Sequence, residues 1–254
     1  MCLLVVAWRC HERYPLVVVA NRDEYHDRPA APAHWWADRP GLLAGRDLQA
    51  GGTWLGIARD GRWAALTNYR EGRPEPGARS RGELVRDYLG GVWQPEAYLA
   101  EVAGRAHQYG GFSLLVGDGR RLCCYSNREG AVRWVEPGVH TLSNHLLDTP
   151  WPKARHARAR MEEVLASPEL PLGELFAVLA RREPFPDHEL PSTGIEPELE
   201  RALSAPFIVG RHYGTRCTTV IRVDRDGAVL FAEQTYLPEG RPGPRVEERF
   251  RLDP

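Results

Sequence analysis

The sequence has neither an excess of basic residues nor a long apolar run, and these absences exclude two classes of protein. Its 33 lysine and arginine residues are balanced by 34 aspartate and glutamate residues, giving a formal net charge of -1 at pH 7. A nucleic-acid backbone requires a basic surface, so no nucleic-acid partner is expected. No apolar stretch approaches the roughly 20 residues of a membrane-spanning helix, so no transmembrane segment is expected. We therefore expect a cytoplasmic protein.

Cysteine and lysine are both scarce. The five cysteines lie at positions 2, 10, 123, 124 and 217, an odd number without a Cys-x-x-Cys spacing. The sequence therefore predicts neither a disulfide framework nor a metal site, and it suits a reducing compartment. Lys153 is the single lysine, so arginine supplies nearly all of the positive charge.

The chain does contain enough apolar residues for one large core. It has 254 residues, of which 43% are hydrophobic, and we predict a single domain over residues 1–254. Three Asp-Gly pairs favour tight hairpin turns, because these residues readily adopt positive φ angles. They join the predicted strand pairs 53–58 with 63–67, 112–116 with 122–126, and 217–223 with 229–236.

The remaining segments indicate helices and loops. Apolar residues at spacings of three and four predict helices over residues 82–89, 95–102, 151–165 and 172–181. Segments 73–79 and 183–197 are rich in proline and charge, which predicts surface loops. Strands and helices in this order favour the α+β class, and periodicity alone supports no finer assignment.

Cys2 is the strongest candidate for a catalytic residue. Once the initiator methionine is removed, Cys2 carries a thiol and a free α-amine, whose ordinary pKa values are near 8.5 and about 7.7 to 8.0. The amine can then take the thiol proton, so one residue supplies a nucleophile and its base. Removal of Met1 is a hypothesis, and the plain alternative is an ordinary apolar thiol near a frayed chain end.

Two apolar runs, residues 3–8 and 16–20, predict an antiparallel hairpin that anchors this end of the chain. If Arg9 opposes Leu16, then Cys2 lies opposite Asp23, with the two Cβ atoms roughly 5 Å apart. Alternation along the strand places Asn21 on the same face. A slip of one residue would remove this arrangement.

The motifs that follow Cys2 resemble those of a known family. Residues 21–24 spell NRDE, the tetrapeptide after which the NRDE family, or transport and Golgi organisation family, is named. Similar blocks follow in the family's order and span nearly the whole chain: GGTWLG at 51–56, ALTNYR at 65–70, LSN at 142–144 with DTPWPK at 148–153, and GTRCTT at 214–219.

That family is in turn similar to the cysteine N-terminal nucleophile hydrolases, which include choloylglycine hydrolases and penicillin V acylases. The similarity implies an αββα sandwich of two antiparallel sheets. It also implies that Cys2 is the nucleophile, that Asp23 holds its amine, and that Asn68 helps to form an oxyanion hole. By the same similarity, Asn144 lines the surroundings of the nucleophile and Arg216 matches a late active-site arginine.

The chain departs from that pattern before its Asn-x-Asp element, where the relatives usually have arginine and this chain has Ala20. Either Arg22 or Arg216 could then supply the positive charge. Asn21, Arg22 and Tyr69 are further candidates for substrate binding. Asn68, Asn144 and Arg216 could also occupy these positions for structural reasons alone, because asparagine tolerates the turns that follow strands and arginine is often exposed.

Together these features predict a hydrolase of non-peptide amide bonds that acts on a small amide or acyl substrate without a cofactor or metal. The alternative is a non-catalytic carrier on the same fold, because the family has been linked to secretory organisation, lipid or acyl-CoA handling and haem mobilisation. Haem would need axial ligands, for which Cys2, His11 and His145 are candidates, although the sequence has no haem motif. The oligomeric state is not encoded in any of these patterns.

Overall fold

A computed structural model of the protein describes residues 2–73 and 77–253, with Cys2 described through its backbone alone. Met1, whose removal is hypothesised above, and the side chain of Cys2, the predicted nucleophile, lie outside the described residues. The predicted surface loop 73–79 is described except for residues 74–76.

The chain alternates groups of strands with groups of helices. The strands are β1 (Cys2–Trp8), β2 (Leu16–Tyr25), β3 (Ala30–Trp35), β4 (Leu42–Asp47), β5 (Leu55–Ala58), β6 (Trp63–Asn68), β7 (Phe112–Gly117), β8 (Leu122–Ser126), β9 (Val132–Trp134), β10 (Gly138–Leu142), β11 (Tyr213–Val223), β12 (Ala228–Leu237) and β13 (Arg241–Arg251). The α-helices are α1 (Gly82–Gly90), α2 (Pro95–Gly104), α3 (Pro152–Leu165), α4 (Leu172–Ala177) and α5 (Pro197–Ala202).

The strands form two antiparallel sheets. The first sheet has the order β10-β1-β2-β11-β12-β13, and the second has the order β3-β4-β5-β6-β7-β8-β9. Strand β1 is therefore an interior strand, paired on one side with β2 and on the other with β10. Pairing with β2 anchors the backbone from Cys2 onward, and pairing with β10 adds a second side from Leu4 onward.

Apolar side chains arrange the elements in four layers. Leu4 of β1 and Ile57 of β5 belong to the core cluster between the sheets. Leu3 of β1 packs with Met161 of α3 on the outer face of the first sheet, and α1 and α2 cover the outer face of the second. The order helix, sheet, sheet, helix confirms the predicted αββα sandwich. Because β1 and β2 are buried on both faces, their sequences CLLVVAW and LVVVANRDEY begin with continuous apolar runs.

The predicted elements are present with shifted ends. All three Asp-Gly hairpins and all four predicted helices occur, although α4 ends at Ala177 rather than at residue 181. Helix α5 begins at Pro197, the residue at which a predicted loop ended. Strands β3, β4, β9 and β13 were not predicted. None of the helices in the described ranges 2–73 and 77–253 has the length and apolar character of a membrane-spanning segment.

Candidate functional site

The register of β1 against β2 determines which residue lies opposite Cys2. Leu3 pairs with Asn21, and Cys2 pairs with Arg22. The prediction that Cys2 lies opposite Asp23 is therefore wrong by one residue. Because alternate residues of a strand point to opposite faces, Asn21 and Asp23 occupy the face opposite to that of Arg22.

The error originates at Arg9, where the hairpin loop begins. Arg9 has a φ of 49°, in the left-handed region, and its N–H donates to the carbonyl of Pro15 at 2.8 Å. Strand β1 thus ends at Trp8, and Trp8 rather than Arg9 pairs with Leu16. Because arginine seldom adopts a positive φ, the residue type at position 9 gave no indication that β1 ends at Trp8.

Arg22 extends from the first sheet toward the second. Its guanidinium carbon lies 4.1 Å from the centre of the Trp54 ring, and a guanidinium nitrogen lies 3.8 Å from the carboxylate of Asp47. Asp47 binds Arg28 more closely, at 2.7 Å. Arg22 therefore brings a partly neutralised positive charge to the strand position opposite Cys2.

Asp23 is a buried carboxylate near the end of β2. It is 2% exposed, and one carboxylate oxygen accepts a hydrogen bond from the Thr215 hydroxyl at 2.7 Å. Burial raises the pKa of Asp23, whereas the positive charges of Lys153 and Arg70 and the hydrogen bond from Thr215 act in the opposite direction. Burial outweighs these opposing influences, so the pKa of Asp23 is raised overall.

Asn144 and Asn68 come together, but the contact uses the backbone of Asn68. The side-chain amide of Asn144 donates to the Asn68 carbonyl at 3.1 Å, and the Asn144 carbonyl accepts from the Arg70 backbone N–H at 2.7 Å. Asn144 is fully buried and has a φ of 57°, which asparagine tolerates better than most residues. The end of β6 and the turn after β10 are thereby joined.

Lys153, in the first turn of α3, orients the Asn144 amide. Its ammonium group donates to the Leu203 carbonyl at 3.0 Å and lies 3.5 Å from the side-chain oxygen of Asn144. Because an ammonium group only donates hydrogen bonds, it keeps the amide oxygen toward Lys153 and the amide nitrogen toward Asn68. No role was predicted for Lys153, although it is the single lysine and ends the block DTPWPK.

Arg70 is the second buried cation near Asp23. It is 7% exposed and binds the carboxylate of Glu200 at 2.6 Å. Its guanidinium carbon lies 4.9 Å from the centre of the Trp151 ring, and its Nε and Nη2 have no hydrogen-bond partner within the described part of the chain. Burial lowers the pKa of Arg70, and the carboxylate of Glu200 opposes this effect. Arg70 ends the block ALTNYR, which was the only sequence signal for it.

Two cavities meet at Asn68 and Glu24, which line both of them. The polar cavity has a volume of about 130 Å³, and Arg22, Asp23 and Asp47 are among its lining residues. The apolar groove has a volume of about 750 Å³. Its other lining residues are Tyr25, Arg182, Pro184, Leu199, Ala202, Leu203, Ala205, Ile208, Val209 and Tyr213.

Asn21, a predicted substrate-binding residue, uses its side chain within the fold. Its amide nitrogen donates to the carbonyls of Leu179 at 3.1 Å and Pro206 at 2.9 Å. Its amide oxygen accepts from the Thr218 hydroxyl at 2.6 Å. The structure therefore gives Asn21 a role in holding the chain on either side of α5.

Arg216 and Tyr69 also make contacts with the protein itself. Arg216 lies at a bulge of β11, and its guanidinium donates to the carbonyls of Tyr25 at 2.6 Å and Arg28 at 3.0 Å. It thus supports the turn that follows β2. The hydroxyl of Tyr69 lies 2.7 Å from Nε2 of His145.

The two histidines considered for haem ligation have both ring nitrogens in hydrogen bonds. Nδ1 of His11 accepts from backbone N–H groups, and its Nε2 lies 3.1 Å from the Ser167 carbonyl. Nε2 of His145 contacts the Tyr69 hydroxyl at 2.7 Å, and Nδ1 contacts the Thr149 hydroxyl at 2.8 Å. An axial ligand needs a free nitrogen lone pair, so these histidines as placed do not fit haem.

Sequence comparison matches the chain to one family over most of its length. The sequence model of the family described as Transport and Golgi organisation 2 matches residues 1–238. The chain is 39% identical over 242 residues to the transport and Golgi organization protein 2 homolog of Bos taurus, covering 88% of this chain and 87% of that protein. It is 38% identical over 242 residues to the homolog of Mus musculus, with the same coverage of 88% and 87%.

Structure comparison identifies a similar fold in an enzyme. The Caenorhabditis elegans N-acylethanolamine-hydrolyzing acid amidase ortholog superposes with a TM-score of 0.50 at 12% sequence identity, covering 87% of this chain and 92% of that chain. At this level of identity the likeness shows the fold alone, the αββα sandwich described above.

Proposed function

Because the chain belongs to the Transport and Golgi organisation 2 family and has an N-terminal nucleophile hydrolase fold, we propose that it hydrolyses non-peptide amide bonds with Cys2 as nucleophile. The observation that carries this proposal is the buried carboxylate of Asp23, one residue beyond the strand position opposite Cys2. An α-amine at Cys2 is a backbone group at the start of β1, so it extends along the strand axis and does not belong to either face of the sheet. We therefore propose that Asp23 holds this amine despite the corrected register.

In the proposed reaction the α-amine takes the thiol proton, and the thiolate attacks the amide carbonyl carbon. A C–S bond forms and the carbonyl oxygen becomes an oxyanion, for which the Asn68 side chain, together with a backbone N–H, is the proposed hydrogen-bond donor. The C–N bond then breaks, and the ammonium group gives its proton to the leaving amine. Water hydrolyses the remaining thioester, which releases the carboxylic acid and restores the thiol.

The surrounding charges support this assignment. Arg22 is the proposed source of the positive charge that favours a thiolate, because Arg22 rather than Arg216 lies opposite Cys2. Lys153 and Arg70 favour the ionised form of Asp23, which an ammonium partner requires. The side-chain amide of Asn144 keeps Asn68 in place by donating a hydrogen bond to the backbone carbonyl of Asn68.

The two cavities favour a substrate with two unlike parts. The polar cavity, about 130 Å³ in volume, suits a small polar amine. The apolar groove, about 750 Å³ in volume, suits an aliphatic acyl group, since ligand sites of this kind are lined mainly by apolar side chains. The scissile amide would lie at Asn68, where the cavities meet.

We place the reaction in the cytoplasm, because Cys10, Cys123, Cys124 and Cys217 are free thiols in the described chain.

Hydrolysis of an N-acyl amino acid that depends on Cys2 is the test of this proposal. Intact mass should show that Met1 is absent, and incubation with N-decanoylglycine should yield decanoic acid and glycine. We expect Cys2→Ala to lose turnover by at least about 10³-fold, while Cys10→Ala, which removes an exposed thiol, keeps it. Equal turnover by Cys2→Ala and the parent, or an active sample that retains Met1, would refute the proposal.

A carrier of acyl lipids or acyl-CoA is the second candidate, and the apolar groove is the observation that favours it. A carrier would bind an acyl chain without forming a thioester. Tight binding of decanoyl compounds by a protein whose Cys2 is never acylated would therefore favour the carrier over the hydrolase.

A further inference from the structure

One side of the apolar groove is formed by residues 182–209, which we call the groove wall. All of these residues are described, and they include α5 and a short 3-10 turn at Asp187–Glu189 but no strand. Prolines at 184, 186, 191, 197 and 206 interrupt the segment. Apart from backbone hydrogen bonds at Phe207 and Ile208, the segment is held by side-chain contacts, so these anchors contribute to the shape of the groove.

The anchors of the groove wall are buried polar side chains from the sandwich. Lys153 donates to the Leu203 carbonyl at 3.0 Å, and Arg70 binds Glu200 at 2.6 Å. Glu200 also accepts from the Thr193 backbone N–H at 3.0 Å, which extends the anchor along the wall. Leu203 lines the groove, so one of these bonds is made directly to a lining residue.

The same two cations contact the turn that holds Asn68. Lys153 lies 3.5 Å from the side-chain oxygen of Asn144, and the backbone N–H of Arg70 donates to the Asn144 carbonyl at 2.7 Å. The Asn144 amide in turn fixes the Asn68 carbonyl. Each of the two residues therefore bonds both the groove wall and the Asn144 turn. Lys153 does so with its ammonium group, whereas Arg70 uses its guanidinium for the wall and its backbone N–H for the turn.

Building on the proposed function, we propose that Lys153 and Arg70 are positioning residues that align the apolar groove with the reacting amide at Asn68. The groove wall determines which acyl chain fits, and the two cations keep the wall in a fixed place relative to Asn144. A long chain seated against Leu199 and Ala202 then places its carbonyl at Asn68. Neither cation needs to touch the substrate in this role.

The groove wall is tested first, with a pair of substitutions on α5. Ala202 and Glu198 are both exposed on this helix, but only Ala202 lines the groove. Ala202→Trp should lower kcat/KM for N-hexadecanoylglycine about tenfold, mainly through KM, and change that for N-butanoylglycine less than about twofold. Glu198→Trp should change neither. Equal losses for both chain lengths, or equal effects of the two substitutions, would overturn the assignment of the wall.

The cations are tested by the ratio of kcat/KM values for the long and the short substrate. We expect Lys153→Met and Arg70→Met to reduce this ratio about tenfold, and Arg70→Lys to restore part of it. Should these variants fail to fold, Glu200→Gln keeps the shape of the partner while removing its charge, and it should reduce the ratio about threefold. A uniform fall in kcat with an unchanged ratio would indicate an ordinary structural role and overturn the inference.

A binding measurement separates this inference from the proposed function. If the parent hydrolyses no amide, the proposed function fails, but the groove can still be tested with 11-(dansylamino)undecanoic acid. Ala202→Trp and Glu200→Gln should weaken its fluorescence-detected Kd about tenfold and threefold, whereas Glu198→Trp should not change it. Unchanged Kd values in the first two variants would overturn the inference.

Discussion

Asn68 stands where the polar cavity and the apolar groove meet, and this position makes it the candidate hydrogen-bond donor to an oxyanion. A preorganised donor of this kind contributes about 3 to 4 kcal/mol to stabilising the transition state. We predict that Asn68→Ala lowers kcat for N-decanoylglycine by about 10²- to 10³-fold with a smaller change in KM.

Steady-state kinetics would check this prediction, with Gln49→Ala as the control. Gln49 is an exposed amide residue, and its removal should leave kcat and KM near the values of the parent. An unchanged kcat in Asn68→Ala would remove the oxyanion role of that residue.

Single residues show how far the sequence alone can locate the site. Asp23, Asn68 and Asn144 lie in recognisable motifs, and the structure places all three near the beginning of β1. The partnership of Arg70 with Glu200 could not be predicted, because the two residues are 130 positions apart. Asn21 belongs to the same NRDE motif as Asp23, yet its amide is fully used by the fold, and no local pattern distinguishes the two roles.

The turn after β10 carries Asn144, and a charged histidine holds one end of it. Nδ1 of His140 lies 2.7 Å from the carboxylate of Asp148, and its Nε2 lies 2.8 Å from the Glu136 carbonyl. Both partners only accept hydrogen bonds, so both contacts are made only when both ring nitrogens carry protons and the ring is an imidazolium. Asp148 also binds Arg158 of α3. Although burial lowers the pKa of His140, its hydrogen bonds to Asp148 and Glu136 outweigh this effect, and the pKa is raised.

A raised pKa in the folded state makes the contribution of His140 to stability depend on pH. The contribution is complete below the unfolded-state pKa of about 6.5 and is lost as pH rises through the folded-state value. We predict that His140→Gln lowers the free energy of unfolding by about 1 to 2 kcal/mol at pH 5.5, and by less at pH 8.5. Urea unfolding at the two pH values would measure this.

His107→Gln serves as the control for this pH dependence, because His107 is an exposed histidine. It should change the free energy of unfolding at neither pH. A loss of stability in His140→Gln that is the same at pH 5.5 and 8.5 would contradict the imidazolium assignment.

Whole elements were predictable where they carry a turn signal or a strong apolar pattern. The Asp-Gly pairs located three hairpins, and apolar spacing located α1 to α4. Strands β3, β9 and β13 escaped prediction because they are edge strands, where proline is tolerated and little burial is needed. Pro32 lies in β3, and β13 has the sequence RPGPRVEERFR with every residue exposed or half-buried.

A buried carboxylate joins the two sheets across the core of the molecule. Glu233 of β12 is 1% exposed and accepts from the backbone N–H of Ala33 in β3 at 2.7 Å. It also accepts from the Thr219 hydroxyl at 3.0 Å. The ladder between β3 and β4 shifts register between Ala31 and His34, which leaves the N–H of Ala33 available.

Removal of this carboxylate should weaken the whole sandwich. We predict that Glu233→Ala lowers the free energy of unfolding by about 2 to 3 kcal/mol, because a buried N–H loses its acceptor. Glu233→Gln keeps an acceptor oxygen and should cost less. Burial raises the pKa of Glu233, so the stability that this group contributes is complete below its unfolded-state pKa and declines as pH rises through the folded-state value.

Urea unfolding at pH 5 and pH 8 would check both statements. Glu247→Ala, which removes an exposed carboxylate from β13, should stay within about 0.5 kcal/mol of the parent. A Glu233→Ala variant as stable as the parent would show that the contact does not join the sheets energetically.

The pairing of β2 with β11 has a consequence for biosynthesis. Tyr25 pairs with Tyr213 and Leu16 with Val223. The apolar edge of β2 therefore stays unpaired during synthesis until most of the polypeptide has left the ribosome. At elongation rates of about 5 to 20 residues per second, this delay lasts roughly 10 to 40 s. During it the nascent chain exposes an unpaired valine-rich edge that invites aggregation. Any product that terminates before β11 is complete should therefore depend on chaperones or be degraded, rather than persist as a partly active fragment.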